Sequence, residues 1–568
     1  MGTRGAANYV VDFDSGFDPE ALAGTMAAGL ARLSSLNLRT QPGFVMLPGW
    51  MSGDVNESGR IPADLAEEIS EALYRVEEKS GLRLDSDDQP LTLTVRYSDE
   101  SSGSPDSAVH GIGISHREPG EETGPEEAAE LDFARARFLE GYARLVLGDN
   151  APVFGSGLAA IGRQATGDYG DELLGLLEEV GQAPPADGRG QLNEVLVAIA
   201  RRAAAGGSPA TVTVQAEMGP PGSPAVRGVV FSRSPVTGAP GAIVSRGLPV
   251  AFDQTVPLGQ YDAVEDPARD ELIESIQLAE ASWTDMCELE FAASGDDLWF
   301  ADAGTGRRTS RSQVRIATDL VDDGMVDVRT ALSRISLDAM QQLQRPVISR
   351  DESHEPTATS RLGSPGGAVG KAAFDPDQVM DLSRKGEPVI YICDRFGPKD
   401  RALLDRVEGI MIRDPEGLLW CEFPECPSII GLDGATADLE IRPGEEVSLD
   451  GDRRILTRGR SQLVPPQPDA RLARVLSWCD ELPALPVLTE APAGATLVEW
   501  AGDTASFRRE LAAVTGEGSD GLHLKVAPGV SVIRESLPEA DWVAVVADPS
   551  ESWMATLLAA KLALRVRV

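Results

Sequence analysis

Lysine is scarce in this chain. Of 51 basic residues among 568, six are lysine: Lys79, Lys371, Lys385, Lys399, Lys525 and Lys561. Only Lys79 precedes residue 371, so a phosphate-holding role in the first two thirds of the chain would fall to arginine, whose planar fork grips phosphate in bidentate fashion. Histidine is scarcer still, with four: His110, His116, His354 and His523. The five cysteines are odd in number and scattered, which excludes a disulfide framework and suits a reducing compartment. No window approaches the ~18 uninterrupted apolar residues of a membrane span. The opening "MGTRGAANYVVDFDSG" has no apolar run of signal-peptide length. These absences lead to the expectation of a cytoplasmic protein that does not engage a membrane.

What is present is acidic and foldable. A formal charge of −39 with 42% hydrophobic and 25% charged residues describes a folded chain with a solvated acidic surface rather than disorder. Such a field repels polyanions, so nucleic acid is not an expected partner. The length exceeds what one hydrophobic core supports and implies several domains.

Helical apolar spacing runs through "FDPEALAGTMAAGLARLSSLNL" (residues 17–38) and "IPADLAEEISEALYRVEEKSG", the latter with Pro62 in its first turn and Gly81 at its stop. "LTLTVRYS" alternates as a strand does, and "SDESSGSPDS" reads as a polar mobile loop. Helices dominate from Glu126 to Ala205, strands from Thr211. "ELEFAASGDDLWFADA" is a hairpin turning at Ser294 to Asp297. "ISRDESHEPTATSRLGSPGG" reads as a polar linker and "LVPPQPDA" as a semi-rigid proline-rich one. The last hundred residues alternate short strands and helices in α/β style; they are too few to close a (β/α)₈ barrel, which takes about 250.

Three sets of segments, in order, are "TVTVQAEM" with "GVVFSRSPVTG", "GRRTSRSQVRIATDLVDDGMV" with "ISLDAMQQLQRPVI", and "SPGGAVGKAAFDPDQVMDLSRKGEPVIYI". Across roughly residues 15–460 they resemble the pyruvate phosphate dikinase family of phosphoenolpyruvate-utilising enzymes. The resemblance implies a multidomain α/β and α+β chain. An ATP-grasp nucleotide-binding domain would occupy residues 1–205 (first part with a helical insert) and 206–345 (second part). A swivelling phosphohistidine-type β/β/α domain would follow at 350–460, and a truncated α/β tail at 470–568 would stand in place of the family's barrel.

Fold does not carry activity, so each catalytic part implied by the resemblance has to stand in the residues themselves. The family's glycine-rich nucleotide motif falls on Gly24 to Ala27, with Met26 at the lysine position. Arg96 keeps the place of an arginine that approaches the nucleotide phosphates, and Gln215 keeps its place beside the adenine pocket. An acidic pair expected after "GVVFSRSPVTG" falls on Leu248 and Pro249. Glu290 stands at the magnesium-binding glutamate. The phosphate-clamping arginine is replaced by Gly304, with Arg307 and Arg308 a few residues on. Glu290 with Asp302 is either a two-carboxylate magnesium site or a pair of solvent-side hairpin carboxylates. The carrier-histidine loop is "GLLWCEFPECPSIIG", without a histidine; Cys421 is nearest the carrier position. Cys421 and Cys426 read as ordinary thiols in a shortened loop rather than a zinc clip, which needs about four ligands, or a redox pair.

The leading reading is a catalytically degenerate pseudoenzyme of the dikinase type with a binding, regulatory or scaffolding role, partnered by a second copy or by an active family member. The alternative is an active ATP-dependent phosphotransferase in which Arg96, Glu290, Asp302 and Arg307 hold magnesium and ATP and a small acceptor replaces the histidine, with Gln215 a further nucleotide-binding candidate. A third is a nucleotide sensor that does not hydrolyse its ligand.

Overall fold

The computed structural model describes residues 9–13, 25–47, 50, 60–86, 88–99, 104–114, 125–147, 166–206, 211–218, 226–246, 255–351, 355–396, 398–414, 426–432, 439–482, 485–490, 492, 496–500, 507, 522–526, 542–548, 550 and 552–564. The chain is mixed α/β and divides into two compact units. The first comprises Met1–Ser232, Ala242–Trp283 and Cys287–Thr305; the second comprises Arg233–Gly241, Thr284–Met286 and Gly306–Val568.

The first unit contains two five-stranded sheets. One has the order β1 (Val10–Asp12), β2 (Gly43–Met46), β5 (Val212–Ala216), β3 (Leu93–Asp99), β4 (Ser104–Ile112), with each neighbouring pair antiparallel. The other has the order β10 (Asp297–Thr305), β9 (Cys287–Ser294), β6 (Val226–Arg233), β7 (Pro240–Arg246), β8 (Thr255–Pro257). Alternation decides what each face carries. Along β3, Leu93, Val95 and Tyr97 enter a core shared with helices α2 (Ala63–Ser80), α3 (Pro125–Leu147) and α5 (Gly188–Gly206), while Thr94 and Arg96 take the opposite face. Along β9, Cys287, Leu289, Phe291 and Ala293 pack against helix α6 (Asp266–Trp283), leaving Glu288 and Glu290 on the reverse side.

Helix α2 follows its sequence signals: Leu65, Ile69, Leu73 and Val76 form its buried stripe, and Gly81 ends it at φ +73°, a left-handed cap that glycine adopts without Cβ strain. Helix α1 (Thr25–Ser35) lies against β10, and Gly29 allows the approach: a Cβ there would stand 1.8 Å from the Ala303 carbonyl oxygen. The expected hairpin forms, with Ser294 paired to Asp297. The expected mobile loop "SDESSGSPDS" is shortened at both ends, because β3 reaches Asp99 and β4 begins at Ser104, and its middle, residues 100–103, lies outside the described residues. Its serines, proline and aspartates carry turn chemistry, but pairing with β3 and packing beneath α3 override that local preference.

The second unit holds helices α7 (Ser310–Asp322), α8 (Val328–Ser333) and α9 (Leu337–Leu343), then a closed seven-stranded barrel. With β11 (Val347–Ile348) preceding it, the barrel runs β12 (Ala358–Ser364), β16 (Ser428–Leu432), β15 (Gly409–Ile412), β14 (Val389–Cys393), β13 (Gly367–Ala373), β17 (Glu446–Asp450), β18 (Ile455–Arg458). The segment read as a polar linker therefore contributes barrel strand β12; barrel closure satisfies its backbone groups despite its polar side chains. The proline-rich segment also begins as a strand, β19 (Leu463–Val464), which pairs with β11. The tail forms a parallel sheet in the order β20 (Val487–Leu488), β23 (Trp542–Val546), β22 (Leu522–Val526), β21 (Thr496–Trp500). Trp500, Leu524, Leu557 and Leu558 share one hydrophobic core with Leu332, Ile335 and Met340 of the α7–α9 segment. Among the described residues no helix is long and apolar enough to cross a membrane.

Candidate functional site on the polar sheet face

Within the first unit, the face of β3, β4 and β5 turned away from the helical core is polar, and its side chains meet those of β6, β9 and β10. Arg96 is its centre. Its guanidinium donates to Glu290 Oε2 at 2.7 Å and lies 3.5 Å from Asp302 Oδ2, with only 8% of the side chain exposed. Burial pushes the Glu290 carboxyl up, and the Arg96 charge and hydrogen bond outweigh that and hold it below the ordinary carboxylate range. Glu290 and Asp302 face one another across the β9–β10 hairpin, so without a cation they would repel. The guanidinium of Arg96 is that cation. Gln215, paired with Thr94 across β5 and β3, is 1% exposed. Its Nε2 donates to the Ala301 carbonyl at 2.9 Å, and its Oε1 is buried without a hydrogen-bond partner.

A second cluster lies beside it and was not foreseen from sequence. Glu217, just past β5, accepts hydrogen bonds from Thr94 Oγ1 (2.6 Å), Thr92 Oγ1 (3.2 Å) and the Gly111 amide (3.3 Å). Thr94 Oγ1 also lies 3.0 Å from His110 Nδ1. His110 reads as a loop residue in the sequence; it stands on β4. Arg227 approaches Glu217 at 4.0 Å, and Arg137 of α3 adds its charge to the group. Burial lowers the His110 pKa to about 4, with Arg137 reinforcing it. Burial raises Glu217, and the His110 hydrogen bond with Arg227 and Arg137 overcomes this and holds the carboxyl well below its usual range. Burial also lowers Arg137.

No family model matches the chain. Against curated proteins it is 26% identical over 531 residues to the chloroplastic pyruvate, phosphate dikinase of Flaveria trinervia, covering 84% of this chain and 55% of that protein. It is 27% identical over 528 residues to pyruvate, phosphate dikinase 1 of Oryza sativa, covering 83% and 55%. It is 27% identical over 533 residues to pyruvate, phosphate dikinase 2 of Zea mays, covering 83% and 59%. The chain is a divergent relative of the pyruvate, phosphate dikinases. It spans little more than half the length of these relatives.

Set against the dikinase resemblance, the predicted positions divide. Arg96, Gln215, Glu290 and Asp302 come together on one polar face. Arg307 is exposed and belongs to the second unit, where its neighbour Arg308 makes a bidentate pair with Asp285, 3.0 Å for the Nη2–Oδ2 contact. Met26 lies in the first turn of α1, its side chain outside the described residues. Leu248, Pro249 and Cys421 are outside them altogether. Cys426 is half-buried against the barrel core. Among the described residues no group of three or more histidine, cysteine, aspartate or glutamate side chains is arranged to hold a metal. The His110–Thr94–Glu217 cluster escaped sequence reading because Glu217 lies 123 residues from Thr94; the one available signal was a histidine within an otherwise apolar and small strand, "AVHGIGI".

Proposed function

We propose that this chain is a pyruvate phosphate dikinase-like pseudoenzyme, an ATP-grasp-type scaffold joined to a swivelling-type barrel, that acts by binding rather than by phosphoryl transfer. The observation that carries the reading is the placement of Arg96 between Glu290 and Asp302. Two carboxylates on a hairpin can take magnesium, but here a guanidinium already stands between them. Around it three guanidinium groups, Arg96, Arg137 and Arg227, are set against the carboxylates of Glu217, Glu290 and Asp302, and Glu288 shares the strand face of Glu290. Among the described residues of this face, this leaves no surplus of positive charge for a triphosphate, which catalysis of phosphoryl transfer requires. The described residues of this face do not fit magnesium and ATP. Met26 at the lysine position, Gly304 at the arginine position and the histidine-free segment around Cys421 point the same way.

Such a protein works as a regulatory or scaffolding subunit with a protein partner, either a second copy or an active family member, and engages neither nucleic acid nor membrane. Incubation with γ-labelled ATP and magnesium is expected to yield neither nucleotide hydrolysis nor acid-labile phosphoprotein. Turnover that disappears in Glu290→Gln would overturn the reading in favour of an active phosphotransferase.

A further inference from the structure

Arg233, in the segment "GVVFSRSPVTG", has no part in the role proposed above. It belongs to the second unit, as do Arg315 and Asp319 of α7 and Arg471 of the helix Ala470–Glu481. Three guanidinium groups converge there on one carboxylate. Arg233 Nη1 lies 3.7 Å and Arg315 Nε 3.5 Å from Asp319 Oδ2, and Arg471 Nη1 donates to Asp319 Oδ1. The Arg233 side chain is 5% exposed and that of Asp319 18%, so water screens the crowding of like charge only in part. The carboxylates close by are engaged with other arginines: Asp322 with Arg474 at 2.6 Å, and Asp452 and Asp469 with Arg311. Among the described residues Asp319 is the one carboxylate within 4 Å of either Arg315 or Arg471. In a chain of formal charge −39, this is a place where positive charge locally exceeds negative.

The donors show which atoms an anion would meet. Arg471 directs Nη1 alone to the Arg315 carbonyl, Thr318 Oγ1 (2.8 Å) and Asp319. Its Nε and Nη2, the edge by which arginine grips an oxyanion side-on, make no hydrogen bond among the described residues, and the side chain is 43% exposed. Arg315 directs Nη1 to the Thr237 carbonyl at 3.3 Å, while its Nε is buried without a hydrogen bond. We propose that Arg315 and Arg471, with the buried charge of Arg233 beside them, form a binding site for a small doubly charged oxyanion, a sulfate- or phosphate-type group that is either free or carried on a metabolite. An oxyanion relieves the repulsion among the guanidinium groups and supplies acceptors to donors that have none. The site uses no residue of the Arg96 face.

Sulfate and glycerol phosphate present the free and the carried group. Isothermal titration of the full chain with sulfate, against chloride of matched ionic strength, is expected to show saturable binding. Glycerol phosphate that competes with sulfate assigns a carried group, and failure to compete assigns the free ion. Hydrogen exchange on wild-type protein is expected to slow in Ser310–Asp322 and Ala470–Glu481 when sulfate is added, with no change in the hairpin 287–305. Arg471→Gln should weaken sulfate binding about tenfold or more by removing the bidentate edge. Asp319→Asn should tighten it several-fold, because the competing carboxylate is gone. Heat no greater than the chloride control, protection confined to other segments, or an affinity unmoved by Arg471→Gln would each overturn the proposal. The titration and exchange of the wild-type chain do not depend on any variant folding. None of these outcomes bears on whether labelled ATP is turned over, so the proposal and the pseudoenzyme reading fail separately.

Discussion

Replacing Arg96 with methionine keeps most of the side-chain volume and removes a charge that lies within 4 Å of both Glu290 and Asp302. In the native chain the guanidinium is 2.7 Å from one carboxylate and 3.5 Å from the other, with side-chain exposures of 17% and 26% for the acids. Removing one member of a buried ion pair costs about 3–5 kcal/mol, because the partner is left charged and desolvated; partial exposure of Asp302 places the expectation near 3 kcal/mol. Since each 1.4 kcal/mol is tenfold, amide exchange in the hairpin 287–305 should accelerate about a hundredfold at pH 7.5. The pH dependence has a definite sign. In wild type, Glu290 titrates below its ordinary value near 4.5, so its contribution is present above that value and is lost as pH falls through the folded pKa. In the variant, burial, the largest influence, is opposed only by the weaker charges of His110 and Arg137 and raises the pKa, so the penalty exists at high pH and vanishes as the carboxyl takes up its proton. The gap between the two proteins should therefore narrow steadily from pH 7.5 toward pH 4.5. Adding Glu290→Gln to Arg96→Met should recover about half of the loss, since it removes one of the two stranded charges. Hydrogen exchange by mass spectrometry reads all three effects locally, without assuming that two units unfold together. An acceleration under about threefold at pH 7.5, or a gap that does not change with pH, would refute the electrostatic account of this cluster.

Gly29→Ala places a Cβ where the Ala303 carbonyl oxygen stands, and moving α1 off β10 should cost about 1–3 kcal/mol, visible as a lowered first transition in calorimetry. His110 titrates near 4 in the folded chain against 6.5 in the unfolded one, so the unfolded state binds more protons between these values and stability should rise with pH across that window, by roughly 3 kcal/mol in total. His110→Gln should flatten this slope in denaturant titrations taken from pH 4 to 7, and an unchanged slope would contradict the assignment. Cys393 and Cys479 have thiols raised by burial, the latter to about 12, so neither should react with a disulfide reagent at pH 8 until denaturant is added.

The parts of the molecule that were legible in sequence are those whose signals are local. The β9–β10 hairpin announces itself by alternation on both arms around a polar turn, and α2 by a stripe of apolar residues between a proline and a glycine. Arg96 could be placed because it sits in an alternating strand with a recognisable neighbour pattern. The partners that decide its chemistry were harder: Glu290 lies 194 residues away, and nothing in either segment says that they will pair rather than share a ligand. Strand β4 was hidden because Ser104, Pro105 and Asp106 favour turns, and only the adjacent strand and helix make the extended form preferable. Glu217 and His110 were missed for a related reason. Each is ordinary in its own segment and joins a hydrogen-bonded cluster only when β4, β3 and β5 lie side by side.

The core shared by the tail sheet and the α7–α9 segment bears on how the protein can be taken apart. The proline-rich stretch after residue 463 looks like a natural place to cut, and a fragment ending there would keep every barrel strand. It would also strip Trp500, Leu524 and Leu558 from Leu332, Ile335 and Met340, exposing a greasy surface on the helices that precede the barrel. Expression fragments that keep this core should therefore run through Leu564, and should begin before Arg233 so that Asp285, the partner of Arg308, is retained.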